Sequence, residues 1–411
     1  MILFSTLSLM ALLMLTSTPA SASASASASA SADSLTAGNG FIAMLRNDVT
    51  DVAATVHAMN VHGIGYVKLT FRSIKAFTFE FPEQATDRAR DQALQRLRAD
   101  PRVAFVEADG VATIHQKTLP INSETIPFGI SYMFQGSAFS IVPVPTKQAV
   151  RIAIIDTGIM LHKDLNVASF GFSAFRTNTG DWFNDANGHG THCAGTAAAM
   201  GNAMGVVGMS PNVQLVAVRV LNAVGSGTWS GIIAGMDWVA SRPVSDNIKV
   251  ASMSLGGGAS VSIDTAVARM NAAGVTVVVA AGNSGTDLNN YSPARAPDAV
   301  TITAIVDSIR APSWTNFGKK AHVYAAPGVG VLSTWIKHTN CGNAPCYHTL
   351  SGTSMATPHV AGLLAQCFAR GMCNSVDSAK NYLANCASLN QSTRFTSSNE
   401  YLGQELRLRS C

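Results

Sequence analysis

Three short segments hold residue types that could carry out nucleophilic chemistry. In Ile154-Ile155-Asp156-Thr157-Gly158 an apolar run stops at a carboxylate and a glycine turn. In Asn187-Gly188-His189-Gly190-Thr191-His192 a histidine stands between two glycines. In Ser351-Gly352-Thr353-Ser354-Met355-Ala356-Thr357-Pro358-His359 a serine opens an apolar, helix-like stretch, with Pro358 expected in its first turn, which has no N–H partners to lose. A serine hydroxyl is a poor nucleophile near neutral pH and needs an adjacent base. A histidine can be that base, and a carboxylate can hold its tautomer and stabilise the imidazolium. Taken singly, each segment has a plainer reading: an Asp after a strand is usually a turn residue, and a Ser in a glycine-rich turn is usually a cap. His192 and His359 read as packed, hydrogen-bonded core histidines. An esterase on the α/β-hydrolase fold fits poorly. That fold places Ser before Asp and His and needs a G-x-S-x-G turn, and Gly352-Thr353-Ser354-Met355-Ala356 lacks the second glycine.

The elements that must position these residues form two blocks. From Ala149 onward, short apolar runs (150–155, 213–218, 250–253, 275–280 and 300–304) alternate with helical stretches. Such runs fit parallel strands buried on both faces, with ligands beyond their carboxy ends. The expected architecture is a three-layer α/β domain around a mainly parallel central sheet. Before it, residues 40–114 read strand, helix, strand, strand, helix, strand, the order of a small α+β ferredoxin-like sandwich. The stretch from Lys117 to Ile141 is turn-rich and reads as an exposed junction. At the amino terminus, Ile2 to Leu15 is almost wholly apolar, the first charged side chain is Asp33, and Pro19-Ala20-Ser21-Ala22 offers an A-x-A-like cleavage site. Residues 1–22 are therefore predicted to be a secretory signal peptide, and 23–39 a low-complexity Ser/Ala linker.

Composition narrows the function classes. Over the 411 residues, 47% are hydrophobic and 13% charged, which excludes a disordered or coiled-coil chain. A net charge of +4 without a basic, aromatic-laced block argues against a nucleic-acid partner. No later segment reaches the length of a membrane helix. Of the seven cysteines, Cys193 stands alone, and the other six fall in the last part of the chain. A secreted chain makes those six candidates for disulfides.

Together the three motifs, in the order Asp, His, Ser, resemble the subtilisin-type serine proteases. The resemblance extends to Ser254-Leu255-Gly256-Gly257 and Ala280-Ala281-Gly282-Asn283. It is most similar to the proteinase K branch in Gly188-His189-Gly190-Thr191-His192-Cys193-Ala194-Gly195 and over 232–240, and it covers most of 151–372. It implies a secreted endopeptidase with Ser354 as nucleophile, His189 as base, Asp156 as its orienting carboxylate and Asn283 as oxyanion donor. Ser254, Leu255 and Gly256 would offer an edge to the substrate backbone. Ala280, Ala281 and Gly282 would wall the specificity pocket, with Tyr291 near its floor, so broad apolar and aromatic preference is expected. Cys193 would be a buried free thiol beside the imidazole.

The resemblance also implies an inhibitory, chaperoning propeptide over 40–116 and a subtilisin-like peptidase domain over 117–411, with cleavage near His115 or Gln116 and a second trim before Ser123 as an alternative start. A structural calcium ion is implied at Asp164, Asn202 and the carbonyls of Met200, Met204 and Val206, with Glu124 as a further ligand if the junction folds back. A second calcium site departs from the pattern: Pro297 and Ala299 could offer carbonyls, but His322 stands where a carboxylate is needed. The six later cysteines do not follow the bridges of proteinase K: Cys341 and Cys346 are expected to bridge each other, and sequential pairing of Cys367 with Cys373 and Cys386 with Cys411 is one of 15 connectivities. No organic cofactor and a monomer are expected, with protein substrates and the chain's own propeptide as partners. The rival from a different class is a subtilase that cleaves only itself and then serves as a binding protein with its propeptide retained. Asn390-Gln391-Ser392 is a glycosylation sequon; Asn290-Tyr291-Ser292 is one formally, but it precedes Pro293 and is expected to stay unmodified.

Overall fold

The alternation of large apolar side chains in the first block produces a sheet with two buried faces. The computed structural model describes residues 40–59, 65–82, 84–109, 111–112, 118–120, 124–134, 150–175, 180–242, 244–306, 311–336, 341, 345–386 and 404–405. The expected signal peptide, the linker, Gln116, Asn390 and Cys411 lie outside them. Strands β1 (Gly40–Leu45), β2 (Tyr66–Phe71), β3 (Ala76–Glu80) and β4 (Val103–Ala108) form an antiparallel sheet in the order β2-β3-β1-β4. Helices α1 (Val52–Ala58) and α2 (Asp87–Ala99) cover it, capped by Asp51 and Thr86, each accepting from a backbone N–H of the first turn. Ala43, Leu45, Phe77 and Phe79 face these helices. Their sequence neighbours Ile42, Met44, Phe71 and Ala76 face the other way, into the core of the larger domain.

Two short strands, β5 (Val111–Ala112) and β6 (Thr118–Pro120), and helix α3 (Phe128–Phe134) lead into the larger domain. There the chain runs through β7 (Arg151–Asp156), β8 (Phe172–Ser173), α4 (His189–Ala198), β9 (Gln214–Arg219), β10 (Gly227–Thr228), α5 (Trp229–Ala240) and β11 (Ile248–Met253). It continues through β12 (Gly257–Gly258), α6 (Val261–Ala272), β13 (Thr276–Ala280), β14 (Tyr291–Ser292), β15 (Val300–Ile305) and β16 (Val323–Pro327). Last come β17 (Val331–Trp335), β18 (Cys346–Leu350), α7 (Thr353–Ala369), α8 (Val376–Cys386) and β19 (Gln404–Glu405). Eight strands form the central sheet, in the order β19-β16-β15-β13-β11-β7-β9-β8, and every pairing is parallel.

Burial on both sheet faces explains the continuous apolar strands. Along β7, Ile152 and Ile154 join the core on the side of α4 and α7, whereas Ala153 and Ile155 join the core on the side of α5 and α6. Helix α7 is apolar around most of its circumference and is correspondingly buried from Thr353 to Phe368. Gly362 lets it lie against α4: a Cβ there would meet the Ala197 carbonyl at 2.5 Å.

Two sequence expectations are corrected. The stretch 117–141 is not simply an exposed junction, because α3 buries Ile130, Met133 and Phe134 in the core that holds α7. The short helix carries enough apolar side chains to dock, and its glycine and serine had masked them. Beyond the runs read from sequence, the sheet also gains β16 and the two-residue edge strands β8 and β19, which are too short to leave a periodic signal. Cys341–Cys346 and Cys367–Cys373 are bridged as expected. Cys386 is disulfide-bonded as well.

Candidate active site

Strand β7 ends in Asp156, whose side chain is wholly buried at the carboxy edge of the sheet. A carboxylate removed from water must be met by donors. The Thr157 N–H donates to Oδ1 at 2.7 Å. His189 Nδ1 lies 2.9 Å from Oδ1 and 3.0 Å from Oδ2. Gly190 permits this approach, because a Cβ there would meet the Gly158 carbonyl at 2.1 Å. With Nδ1–H committed to Asp156, Nε2 carries the free lone pair, and it has no partner among the described residues. Burial opposes protonation of His189, but the Asp156 carboxylate and the neighbouring Cys193 together outweigh it and hold the imidazole well above its ordinary value.

Asp185, which sequence reasoning missed, fixes this pair from behind. Its buried carboxylate accepts from Thr157 Oγ1 (2.8 Å), Gly188 N (2.7 Å), Thr191 N (2.9 Å) and Thr191 Oγ1 (2.6 Å). Thr157 Oγ1 in turn accepts from Gly190 N at 2.9 Å. The strand end bearing Asp156 and the helix start bearing His189 are thus tied to one group. Gly188 has no side chain with which to cap α4, so Asp185 takes the role. The cue was available: a carboxylate three residues before a glycine N-cap.

Ser354 is the second residue of α7. Its hydroxyl donates to the Ser254 carbonyl at 3.1 Å, and the Ser254 hydroxyl donates to the Ser354 carbonyl at 2.8 Å. The expected Ser354–His189 hydrogen bond is therefore replaced by a bond to Ser254. Pro358 stands inside the helix, at its sixth residue, and not in the opening turn as the sequence suggested. Its missing N–H leaves the Ser354 carbonyl without its helical donor, and the Ser254 hydroxyl and the Cys193 thiol (3.5 Å) point there instead. Cys193 is free and buried, with Sγ 3.8 Å from His189 Nδ1, and burial raises its thiol pKa.

Asn283 caps α7 from across the cleft. Its Oδ1 accepts from Thr353 N and Thr353 Oγ1, each at 2.9 Å. A backbone N–H can only donate, so the amide orientation is set and Nδ2 is left beside Gly352. A cleft of about 520 Å³ gathers His189, Ser354 and Asn283 with the expected substrate residues Ser254, Leu255, Gly256, Ala280, Ala281, Gly282 and Tyr291. Ala294 and Trp314 also line it, and neither was foreseen. Among the described lining residues there is no carboxylate, lysine or arginine. His192 and His359 face backbone carbonyls: His192 Nε2 lies 3.0 Å from the His348 carbonyl and His359 Nδ1 2.8 Å from that of Met355. Burial lowers both, to about 3 and about 4.

The expected metal residues also converge. Asp164 Oδ2 accepts from Val206 N at 3.0 Å, while the buried Oδ1 has no partner among the described residues. Burial pushes this carboxyl up to about 7. Asn202 Oδ1 accepts from Met204 N at 3.1 Å, and Met200 N donates to the Asp164 carbonyl at 3.0 Å. The segment after β6 does fold back: Glu124 Oε1 accepts from Asn202 N and Ala203 N, each at 2.9 Å.

Opposite this chemistry, the small domain reaches the larger one through carboxylates. Glu107 accepts from Val261 N (3.0 Å), Ser262 N (3.1 Å) and the Ser260 hydroxyl at the start of α6. Asp109 accepts from Ser230 N at 2.7 Å and from the Ser230 hydroxyl at the start of α5. Strand β5 then pairs antiparallel with β10, Val111 opposite Thr228 and Ala112 opposite Gly227.

Comparison with known proteins agrees with this geometry. The model of the subtilase family matches residues 147–402. A cuticle-degrading serine protease of Arthrobotrys oligospora is 38% identical over 77% of this chain and 73% of its own. An extracellular serine proteinase of Thermus sp. is 36% identical over 76% of this chain and 71% of its own. The crystal structure of a cold-adapted subtilisin-like serine proteinase matches with a TM-score of 0.56 at 34% identity, covering 69% of this chain and 97% of that one.

The Asp156–His189 pair makes a prediction independent of turnover. Proton NMR should show the His189 imidazole titrating above 6.5. In Asp156→Asn that carboxylate's attraction is gone and the burial remains, so the value should fall below that of the parent. An unchanged titration would show that Asp156 does not set it.

Proposed function

The chain belongs to the subtilase family and is a serine-type endopeptidase, and we propose that it cleaves proteins through an acyl-enzyme on Ser354 after maturing from a secreted zymogen. The observation that carries this reading is the buried Asp156–His189 pair opening on the cleft that also holds Ser354 and the Asn283 amide. Rotation of the Ser354 side chain away from Ser254 would bring its hydroxyl to His189 Nε2. His189 takes that proton as Oγ attacks the substrate carbonyl, and returns it to the leaving amine; a water then repeats the sequence to free the acid. Asp156 keeps Nδ1 protonated and stabilises the imidazolium. Asn283 Nδ2 and the Ser354 N–H receive the oxyanion, a contribution worth about 10²–10³ in turnover for such an amide. Protein substrates follow from the family. The small, uncharged wall of Ala280, Ala281, Gly282 and Ala294, closed by Tyr291, supports a broad apolar and aromatic P1 preference.

Residues 40–116 are read as an inhibitory propeptide that also assists folding. The antiparallel docking of β5 on β10 supports this reading, since the end of the segment adds to the larger domain as an extended strand. Secretion is supported by the apolar amino-terminal run, and among the described residues no helix is long and apolar enough to cross a membrane.

Subtilases generally bind structural calcium, and the residues here fit one ion. The unpartnered Asp164 Oδ1 and the Asn202 side chain, with the carbonyls of Met200, Met204 and Val206, would hold it. The ion would supply positive charge that keeps Asp164 ionised despite its burial.

Three outcomes test these readings. Casein should be hydrolysed by the parent and not measurably by Ser354→Ala, a loss on the order of 10⁶. A parent that severs its own chain but leaves casein intact would turn the reading to a self-cleaving binder. With turnover blocked directly after self-cleavage, the severed propeptide should co-elute on gel filtration and separate in a Glu107→Ala, Asp109→Ala variant; a propeptide still bound to the uninhibited parent after prolonged incubation would favour the self-cleaving binder. Each acceptor lost is a hydrogen bond to a charged group, worth about 1.5 kcal/mol, so binding should weaken roughly tenfold or more. A chelator should lower the melting temperature of the parent and leave that of Asp164→Asn unchanged; equal sensitivity would exclude the site.

A further inference from the structure

The family resemblance also implies a second calcium position, at the carbonyls of Pro297 and Ala299, and the residues present do not fit a divalent ion there. The Ala299 carbonyl accepts a hydrogen bond from Lys320 Nζ at 2.9 Å, and the Ala296 carbonyl accepts another from the same atom at 2.5 Å. A divalent ion at those oxygens would meet an ammonium already bonded to them. The position where a carboxylate ligand is needed holds His322, whose imidazole is pushed toward the neutral form first by burial and then by Lys380 and Lys320. Among the described residues no carboxylate bonds to the cradle. Burial and then Lys380 pull Lys320 down to about 7, and Asp264 and Asp298 offset part of that, so the ammonium persists toward neutral pH by virtue of the two carbonyls and these carboxylates.

We propose that the Lys320 ammonium is the built-in cation of this carbonyl cradle, doing there the structural work of a metal ion, so that the chain binds no calcium at Ala299. An ammonium has three donors and no need of anionic ligands, and two backbone carbonyls at hydrogen-bonding distance suit it. A calcium ion needs six to eight oxygens, several of them anionic in a tight site.

The clamp bears on the cleft. The turn that Lys320 holds follows β14, and Tyr291, Ser292 and Ala294 line the cleft. The same stretch is held from one side by Asp264, which accepts from Ser292 Oγ and Arg295 Nε, each at 2.7 Å. From the other side the Thr301 hydroxyl donates to the Ala294 carbonyl at 2.8 Å. Lys320 thus acts as a positioning residue for the specificity wall, at a distance from the reacting atoms.

The test uses the full chain carrying Ser354→Ala, so that it does not depend on the proteolytic reading. Calcium per chain is measured by atomic emission after gel filtration, with and without Lys320→Met, and melting is followed with and without chelator. The expected result is an equal calcium count in both proteins and a melting temperature lower by roughly 5 °C in Lys320→Met, with or without chelator. Terbium-soaked crystals of the protein that retains Lys320 should show no anomalous peak at the Ala299 carbonyl. An unchanged melting temperature, or a terbium peak at that carbonyl, overturns the proposal. The terbium measurement decides the matter even if Lys320→Met fails to fold.

Discussion

The arrangement of the larger domain depends on a carboxylate placed where water cannot reach it. Asp156 ends the central strand β7 with none of its side chain exposed. An isolated charge in that position would be prohibitive, so the surrounding chain must supply donors. It does so with the Thr157 amide and the His189 imidazole. That requirement brings the start of α4 onto the strand end, and through Thr157 and Gly190 it engages Asp185, a second buried carboxylate. Two buried carboxylates thus share one ring of donors, and the imidazole between strand and helix is left with a single free nitrogen, facing the cleft.

The opposite wall is built on a different compromise. Helix α7 is buried nearly throughout, yet carries a proline at its sixth residue. The carbonyl this frees belongs to Ser354, and Ser254 satisfies it from the end of β11. The helix start has no side-chain cap of its own, and Asn283 supplies one from the end of β13. Neighbouring strand ends therefore meet the first turn of one helix. The hydrogen bonds that satisfy that turn also set the Asn283 amide and place the Ser354 hydroxyl. A change at Asn283 would remove a helix cap and, under the proposed mechanism, an oxyanion donor, which would couple its effects on stability and on rate.

Much of this was legible in the sequence because the strands are buried on both faces and each ends in a distinctive turn. Runs such as 150–155 and 275–280 could not belong to an amphipathic element; Asp156 follows the first directly, and Asn283 follows the second after Ala281 and Gly282. Alternation made the two-sided sheet of the small domain equally plain. What escaped has physical causes. Helix α3 has seven residues, too few for a periodic pattern, and its burial depends on a partner surface assembled from distant segments. Pro358 could be read as an opening-turn residue only while the helix start was unknown. Lys320 acts through backbone carbonyls, and no residue type in the sequence signals which carbonyl a side chain will find, whereas Asp185 left a cue, a carboxylate three residues before a glycine, that goes unread until the start of α4 is known.

The capping pattern separates what the larger domain supplies for itself from what the small domain adds. Helices α4 and α7 start at glycines, and their caps, Asp185 and Asn283, lie within the same domain. Helices α5 and α6 start with their own caps, Thr228 and Ser260, which accept from Gly231 N and Ile263 N. Onto these complete helix starts the small domain lays Asp109 and Glu107, where the positive end of each helix favours a negative charge. If the small domain departs, α5 and α6 retain their own side-chain caps and their buried faces against the central sheet, while Ile42, Met44 and Phe71 lose the surface they share. The small domain thus contacts the starts of both α5 and α6, yet adds only surplus acceptors to a domain whose helices α4 and α7 are capped from within. That asymmetry suits a segment that is needed during folding and dispensable after it.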